Sequence, residues 1–129
     1  VSRVNYIKQS GSKKIILLDS SMSEYIRSTL YGIEPIVELL HAKNNEEKFE
    51  YDIAGGVCES SDFFIRDVLL PKITKNDFLV FKNVGAYGSS MSSTYNSRPR
   101  PLEILFNKNE HRVIRSRDTL EDLCKNEIM

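Results

Sequence analysis

Apolar and polar residues alternate along much of this chain with a period of two, the mark of half-buried β-strands. Val4-Asn5-Tyr6-Ile7-Lys8 opens the pattern, and Ser10-Gly11-Ser12 turns it. Ile15-Ile16-Leu17-Leu18 is a continuous apolar run. Its length fits strand or helix fragment, and its β-branched members favour a strand buried on both faces. Ser21-Met22-Ser23-Glu24 has the form of a capping box. A short helix is therefore expected from there through Tyr25-Ile26-Arg27, stopping by Tyr31-Gly32. Ile36 to Leu40 predicts another strand ending at His41, and Lys43 to Lys48 a charged hairpin loop. Phe49, Tyr51 and Ile53 alternate with Glu50, Asp52 and Ala54, which predicts a half-exposed strand.

Gly55-Gly56 breaks the alternation ahead of Val57-Cys58-Glu59-Ser60-Ser61-Asp62. Phe63-Phe64-Ile65 and Val68-Leu69-Leu70 read as separate apolar anchors around that loop. Pro71 to Asp77 is a connection ending in an Asn-Asp turn, and Phe78-Leu79-Val80-Phe81 a buried strand. Then comes Gly85 to Pro101, GAYGSSMSSTYNSRPRP, which is a poor piece of core. Its glycines permit close approach of a neighbour and leave Tyr87 free to present its ring. Its end, Arg98-Pro99-Arg100-Pro101, is stiff and extended. Leu102 to Phe106 and His111 to Arg117 predict two strands, the second with Val113 inward and arginines outward. Asp118-Thr119-Leu120-Glu121 is a second capping box in form, and Leu120, Leu123 and Cys124 then share one helical face. Roughly six to eight short strands with little helix predict a β-sandwich or barrel.

At 129 residues the chain is expected to form a single β-domain over 1–129. Its 18 basic and 18 acidic residues balance, which argues against a nucleic-acid binder, whose surface should be basic. No apolar run is long enough to span a bilayer as a helix. Val1 already lies in a strand pattern, so the natural start is expected upstream. The two cysteines, Cys58 and Cys124, do not form a secreted disulfide framework, and a reducing cytoplasm is the expected location.

Candidate chemistry is sparse. Cys58-Glu59 follows two glycines, on a loop able to approach a partner. A thiol is a usable acid near neutral pH, and the neighbouring carboxylate suits an ammonium group. The plainer reading is a small buried cysteine beside a surface glutamate. Arg27 and Tyr31, four apart, share a helix face. They make a carboxylate clamp or simply an arginine stacked on a tyrosine. Arg98 and Arg100 read as solvated charges or partners of nearby acids, and Cys124 as a helix core position. His41 and His111 lack companions at metal-ligand spacing, so no metal site is expected. No phosphate-binding glycine loop and no nucleophile elbow occurs.

Cys58-Glu59-Ser60-Ser61-Asp62 and Gly85-Ala86-Tyr87-Gly88 together resemble the C-terminal domain of diaminopimelate decarboxylases. Met91-Ser92-Ser93-Thr94-Tyr95-Asn96-Ser97-Arg98-Pro99-Arg100-Pro101 extends the likeness. So do Asp19, the Ile26-Arg27-x-x-Leu30-Tyr31 pattern and Asp118-Thr119-x-Glu121-Asp122-Leu123. The resemblance runs in order over nearly the whole chain. It implies a mainly β C-terminal domain with one or two short helices, one part of a two-domain enzyme. That enzyme uses pyridoxal 5'-phosphate to convert meso-diaminopimelate to L-lysine and carbon dioxide. The lysine that anchors the cofactor would belong to an N-terminal α/β barrel that this chain does not contain, so the piece alone is expected to be inactive.

By the same resemblance, Tyr87 lies against the cofactor near its phosphate and the bound substrate. Arg27 and Tyr31 grip the carboxylate at the far end of the substrate, and Glu59 binds the far amino group. Cys58 is the catalytic acid, and its loop completes the active site of the neighbouring subunit of a homodimer. Two departures stand out. Ser28 replaces the proline usual after the arginine. Gly32-Ile33 closes a stretch where the family carries a few more residues, including an aromatic and a histidine. Related decarboxylases of ornithine, arginine or carboxynorspermidine are an alternative, disfavoured by Glu59 with Arg27 and Tyr31. A non-catalytic dimerisation domain of the same fold is another.

Overall fold

The computed structural model describes residues 1–41 and 47–128. Eight strands lie among them. β1 (Ser2–Ser10), β2 (Lys13–Leu18), β3 (Ile36–Leu39), β4 (Lys48–Ala54), β5 (Phe63–Pro71) and β6 (Phe78–Lys82) form one sheet. Its order is β3-β6-β1-β2-β4-β5. The β1–β2 hairpin turns at Gly11, whose φ of 59° suits glycine. β2 and β4 pair in parallel, Ile16 opposite Ile53, which requires a crossover between them. The two edge strands, β3 and β5, come into contact and nearly close the sheet into a barrel. Phe64 of β5 meets Phe81 of β6 edge-on, ring centroids 4.9 Å apart, across that closure.

The core is where the alternation points. Val4, Ile16, Ile53 and Leu79 are fully buried, with Leu18, Tyr51, Phe64 and Leu70 around them. β4 departs from simple alternation. Asp52 and Ala54 are buried as well as Tyr51 and Ile53. The ladder to β5 shifts between Tyr51 and Ile53. Asp52 is covered there by Arg66 at 3.6 Å and Lys13 at 3.9 Å, and accepts from the Asp67 N–H at 2.9 Å. The two apolar anchors after the loop are one continuous strand, β5, which passes Asp67 in a left-handed conformation (φ 55°). Of the charged loop expected over 43–48, residues 43–46 lie outside the described residues, and Lys48 already opens β4.

The first helix is shorter than the capping box predicts. α1 covers only Arg27–Tyr31 and ends on Gly32 in the left-handed region. Residues 22–24 form a turn instead. Glu24 does reach back to the Ser21 N–H at 2.7 Å, but it also takes the Ser21 and Ser23 hydroxyls and Arg98. Those extra partners tie it to the rest of the molecule rather than to a helix. α2 is a single turn, Gly85–Gly88, and a 3-10 turn follows at Tyr95–Ser97. A Cβ at Gly85 would meet nothing within 4 Å, so the close approach expected there is not used inside this chain.

β7 (Glu103–Asn107) and β8 (Glu110–Arg115) form a separate hairpin. Val113, expected inward, is 57% exposed. The hairpin has no second layer over it among the described residues, so neither face is inside. α3 (Leu120–Cys124) starts at a true capping box, displaced by one residue from expectation. Asp122, not Glu121, accepts from the Thr119 N–H at 2.8 Å while Thr119 Oγ1 accepts from the Asp122 N–H at 3.2 Å. Cys124, expected in a helix core, is exposed, as is Leu120.

Candidate functional site

A cavity of about 380 Å³ takes part of its wall from α1 and part from α2. Arg27, Tyr31, Ile33, Tyr87 and Met91 line it. The four-residue spacing puts Arg27 and Tyr31 on one face of α1, and α2 supplies Tyr87 from 56 residues further on in the chain. The Arg27 guanidinium carbon lies 5.2 Å from the Tyr87 ring centre, a cation–π contact. The Arg27 Nε is buried and has no hydrogen-bond partner among the described residues. Tyr31 and Tyr87 are both more than half exposed. The cavity thus offers a cation, two phenols and two apolar side chains.

Cys58 and Glu59 do not line that cavity. They sit on the loop between β4 and β5, and the loop is pinned at its base. Gly55 N–H donates to Asp62 O at 2.9 Å, and Gly56 N–H to Ser20 O at 3.0 Å. The Asp62 carboxylate accepts from Met22 N–H at 2.7 Å and Val57 N–H at 3.0 Å. Burial pushes the Asp62 carboxyl above its usual range, against the pull of those two donors. A Cβ at Gly55 would overlap the same carboxylate. Thr29 Oγ1 donates to Ser61 O at 3.0 Å, which ties the loop to α1.

Cys58 is exposed and free of any disulfide, contrary to the buried reading of a lone cysteine. Glu59 is held by neighbours. Its Oε2 accepts from the Tyr95 hydroxyl at 3.3 Å, and its Oε1 faces Ser60 Oγ at 3.4 Å and Ser61 N–H at 3.5 Å. The Ser61 N–H, then the Tyr95 hydroxyl, hold Glu59 below the usual carboxylate range. Tyr95 is the residue missed by reading the sequence. Its one local signal is Asn96 after it, a residue that tolerates the left-handed turn found there.

The two arginines of the stiff segment have acidic partners. Arg98 donates through Nη2 to the Asp19 carbonyl and lies 3.4 Å from Glu24. Arg100 Nε donates to Asp118 at 2.7 Å. A larger cavity, about 680 Å³, opens between the sheet and the hairpin and is lined by Glu24, Phe64, Phe81, Arg98, Glu103 and Arg115 among others. It contains none of the five predicted site residues. Among the described residues, no cluster of His, Cys, Asp and Glu is placed to hold a metal, and no helix is long and apolar enough to cross a membrane.

A family model described as the pyridoxal-dependent decarboxylase C-terminal sheet domain matches residues 1–85. The chain belongs to that family. It is 40% identical over 125 residues to a diaminopimelate decarboxylase of Helicobacter pylori, covering 97% of this chain and 31% of the relative. The family's chains are thus about three times as long as the piece described. The diaminopimelate decarboxylase of M. jannaschii superposes with a TM-score of 0.93 at 38% identity, over 99% of this chain and 29% of that one. The H. pylori enzyme complexed with L-lysine superposes at 0.87 and 38%, over 96% of this chain and 30% of that one. The barrel-like sheet is therefore the C-terminal sheet domain of a pyridoxal-dependent decarboxylase family.

Proposed function

We propose that this chain is the C-terminal part of a diaminopimelate decarboxylase, which releases carbon dioxide from meso-2,6-diaminopimelate to give L-lysine. The observation that carries the reading is the gathering of Arg27, Tyr31 and Tyr87 around one cavity. A guanidinium with an adjacent phenol binds a carboxylate through two or more directed hydrogen bonds. The unpartnered Arg27 Nε leaves a buried donor for such an anion. Ile33 and Met91 give the aliphatic middle of the substrate an apolar wall. Glu59, kept anionic by its donors, suits the ammonium group at the far end. A substrate with an amino-acid head at each end uses all of these. A simple diamine precursor such as ornithine leaves the clamp idle.

The cavity also fits the family's cofactor in part. Tyr87 presents an exposed phenol, which suits a phosphate oxygen. Pyridoxal phosphate, when bound, supplies the electron sink for the carbon that loses carbon dioxide. This chain's own contributions are binding, orientation and one proton. Arg27 and Tyr31 fix the far carboxylate. Tyr87 borders the cofactor. Cys58, exposed on its pinned loop, holds the proton returned at the reacting carbon. Cys58 and Glu59 do not line the cavity of their own chain, which supports their serving the site of a second subunit in a homodimer. The barrel that anchors the cofactor belongs to the remainder of the polypeptide, and two free exposed cysteines suit the cytoplasm.

The test is an assay of the complete enzyme. Carbon dioxide release is expected from meso-diaminopimelate at least a hundred-fold faster, in kcat/KM, than from ornithine, arginine or carboxynorspermidine. A preference for any of those three removes the assignment.

A further inference from the structure

Glu59 stands on an exposed loop, and a free glutamate there samples many rotamers. Something must hold it where an ammonium group would arrive. Its Oε2 accepts from the Tyr95 hydroxyl, and Tyr95 arrives from 36 residues further along the chain. The turn that delivers Tyr95 is unusual. Asn96 and Ser97, consecutive and neither of them glycine, both adopt left-handed backbone conformations (φ 61° and 54°). Such a conformation is costly and persists only where surrounding contacts impose it. Those contacts are present. Ser93 N–H donates to Ser23 O at 2.8 Å on one side, and Arg98 binds the Asp19 carbonyl and Glu24 on the other. The Tyr95 ring is 47% exposed, so the turn does not exist to bury it.

We infer that Tyr95 is a positioning residue, whose phenol orients the Glu59 carboxylate for the ammonium group at the far end of the substrate. The inference rests on the role proposed above for Glu59. The phenol occupies one acceptor site of Oε2 and leaves the other carboxylate lone pairs open to a ligand. Donation from the phenol also favours the ionised carboxylate, in line with the lowered Glu59 and the raised Tyr95 hydroxyl.

Tyr95→Phe in the complete enzyme tests this, because it removes the hydroxyl and keeps the ring. The residue is exposed, so its melting temperature should stay at the wild-type value. KM for diaminopimelate is expected to rise about five-fold, with kcat nearly unchanged. The acid limb of the kcat/KM pH profile should move to higher pH, since Glu59 without its donor protonates earlier on acidification. Glu59→Gln should raise KM further, and Tyr95→Phe added to it should change nothing more. A wild-type KM in Tyr95→Phe, with Glu59→Gln impaired, overturns the positioning role and leaves Glu59 in place. A full five-fold effect that persists in the Glu59→Gln background also overturns it. A wild-type KM in Glu59→Gln removes the Glu59 assignment and this inference with it.

Discussion

The six-stranded sheet and the β7–β8 hairpin are written in the same sequence code and end in opposite environments. In the sheet, alternation buries Val4, Ile16 and Leu79 completely. In the hairpin, the same alternation leaves Phe106 72% and Val113 57% exposed. The β1–β2 and β7–β8 ladders are both antiparallel, each with one irregularity. The difference lies in covering. The sheet curls onto itself and supplies its own second layer, whereas no second layer packs on the hairpin among the described residues. Period-two patterning thus specifies a strand with one apolar face, and not what that face meets. The candidate chemistry falls on neither region. Cys58, Glu59, Arg27 and Tyr87 occupy the connections, where side chains are accessible and a rigid sheet fixes their bases.

The widest separation between scaffold and chemistry should come from Cys58→Ala in the complete enzyme. Turnover is expected to fall about a thousand-fold, the scale of a lost general acid, while KM changes far less. The melting temperature should hold, since Cys58 is exposed. A normal turnover number would take the acid role from Cys58. Ile16→Ala tests the other side. It opens a cavity in the closed sheet and should cost about 3 kcal/mol in urea unfolding. A loss below about 1 kcal/mol would show that the sheet is not the structural centre.

Acid should act on the two regions with opposite signs. Asp118, at the end of the hairpin, is held below the usual carboxylate range first by its hydrogen bond from Arg100. Its contribution is therefore present above the ordinary carboxylate pKa and lost as pH falls through the lowered one. Asp62, under the Cys58 loop, is pushed up by burial. Its contribution is full below the ordinary pKa and lost as pH rises through the raised one. Acidification to below the ordinary carboxylate range should then release the Arg100–Asp118 tether, after Asp62 has already taken up its proton at higher pH. Amide chemical shifts of Asp118 and Val57 against pH report each event, and a Val57 shift that tracks Asp118 contradicts the split. The smallest effect belongs to Val113→Ser. In this chain it should change unfolding free energy by less than about 0.5 kcal/mol, and a cost above about 1 kcal/mol would mean that the hairpin face is covered after all.

Much of the strand layout was legible from alternation and turn residues alone, and each failure has a physical cause. Ser21 to Glu24 looked like a helix start because local bonds favour one. Arg98, from 74 residues away, claims Glu24 and fixes a turn instead. Asp52 looked exposed because its cover, Arg66 and Lys13, comes from two other strands. The parallel pairing of β2 with β4 leaves no local trace, since its partners are separated by the whole crossover. The second capping box lies one residue later than the sequence suggests, with Thr119 and Asp122 in place of Asp118 and Glu121, because both adjacent pairs have the same three-residue spacing. At the site, Arg27, Tyr31 and Tyr87 were legible as motif residues, and the structure brings them to one cavity. Tyr95 was not singled out, because its bond to Glu59 joins two loops that no spacing rule connects.

The absence of a side chain at position 55 has a reach beyond its own turn. Asp62 closes the neck of the loop by filling the space where that side chain would stand. Even a methyl group at 55 would evict the carboxylate and release the N–H groups of Met22 and Val57 together. The thiol would remain chemically intact on an unfastened loop. Residue 55 therefore acts as a remote aiming element for residue 58, and natural variation at the two positions should be read as one trait.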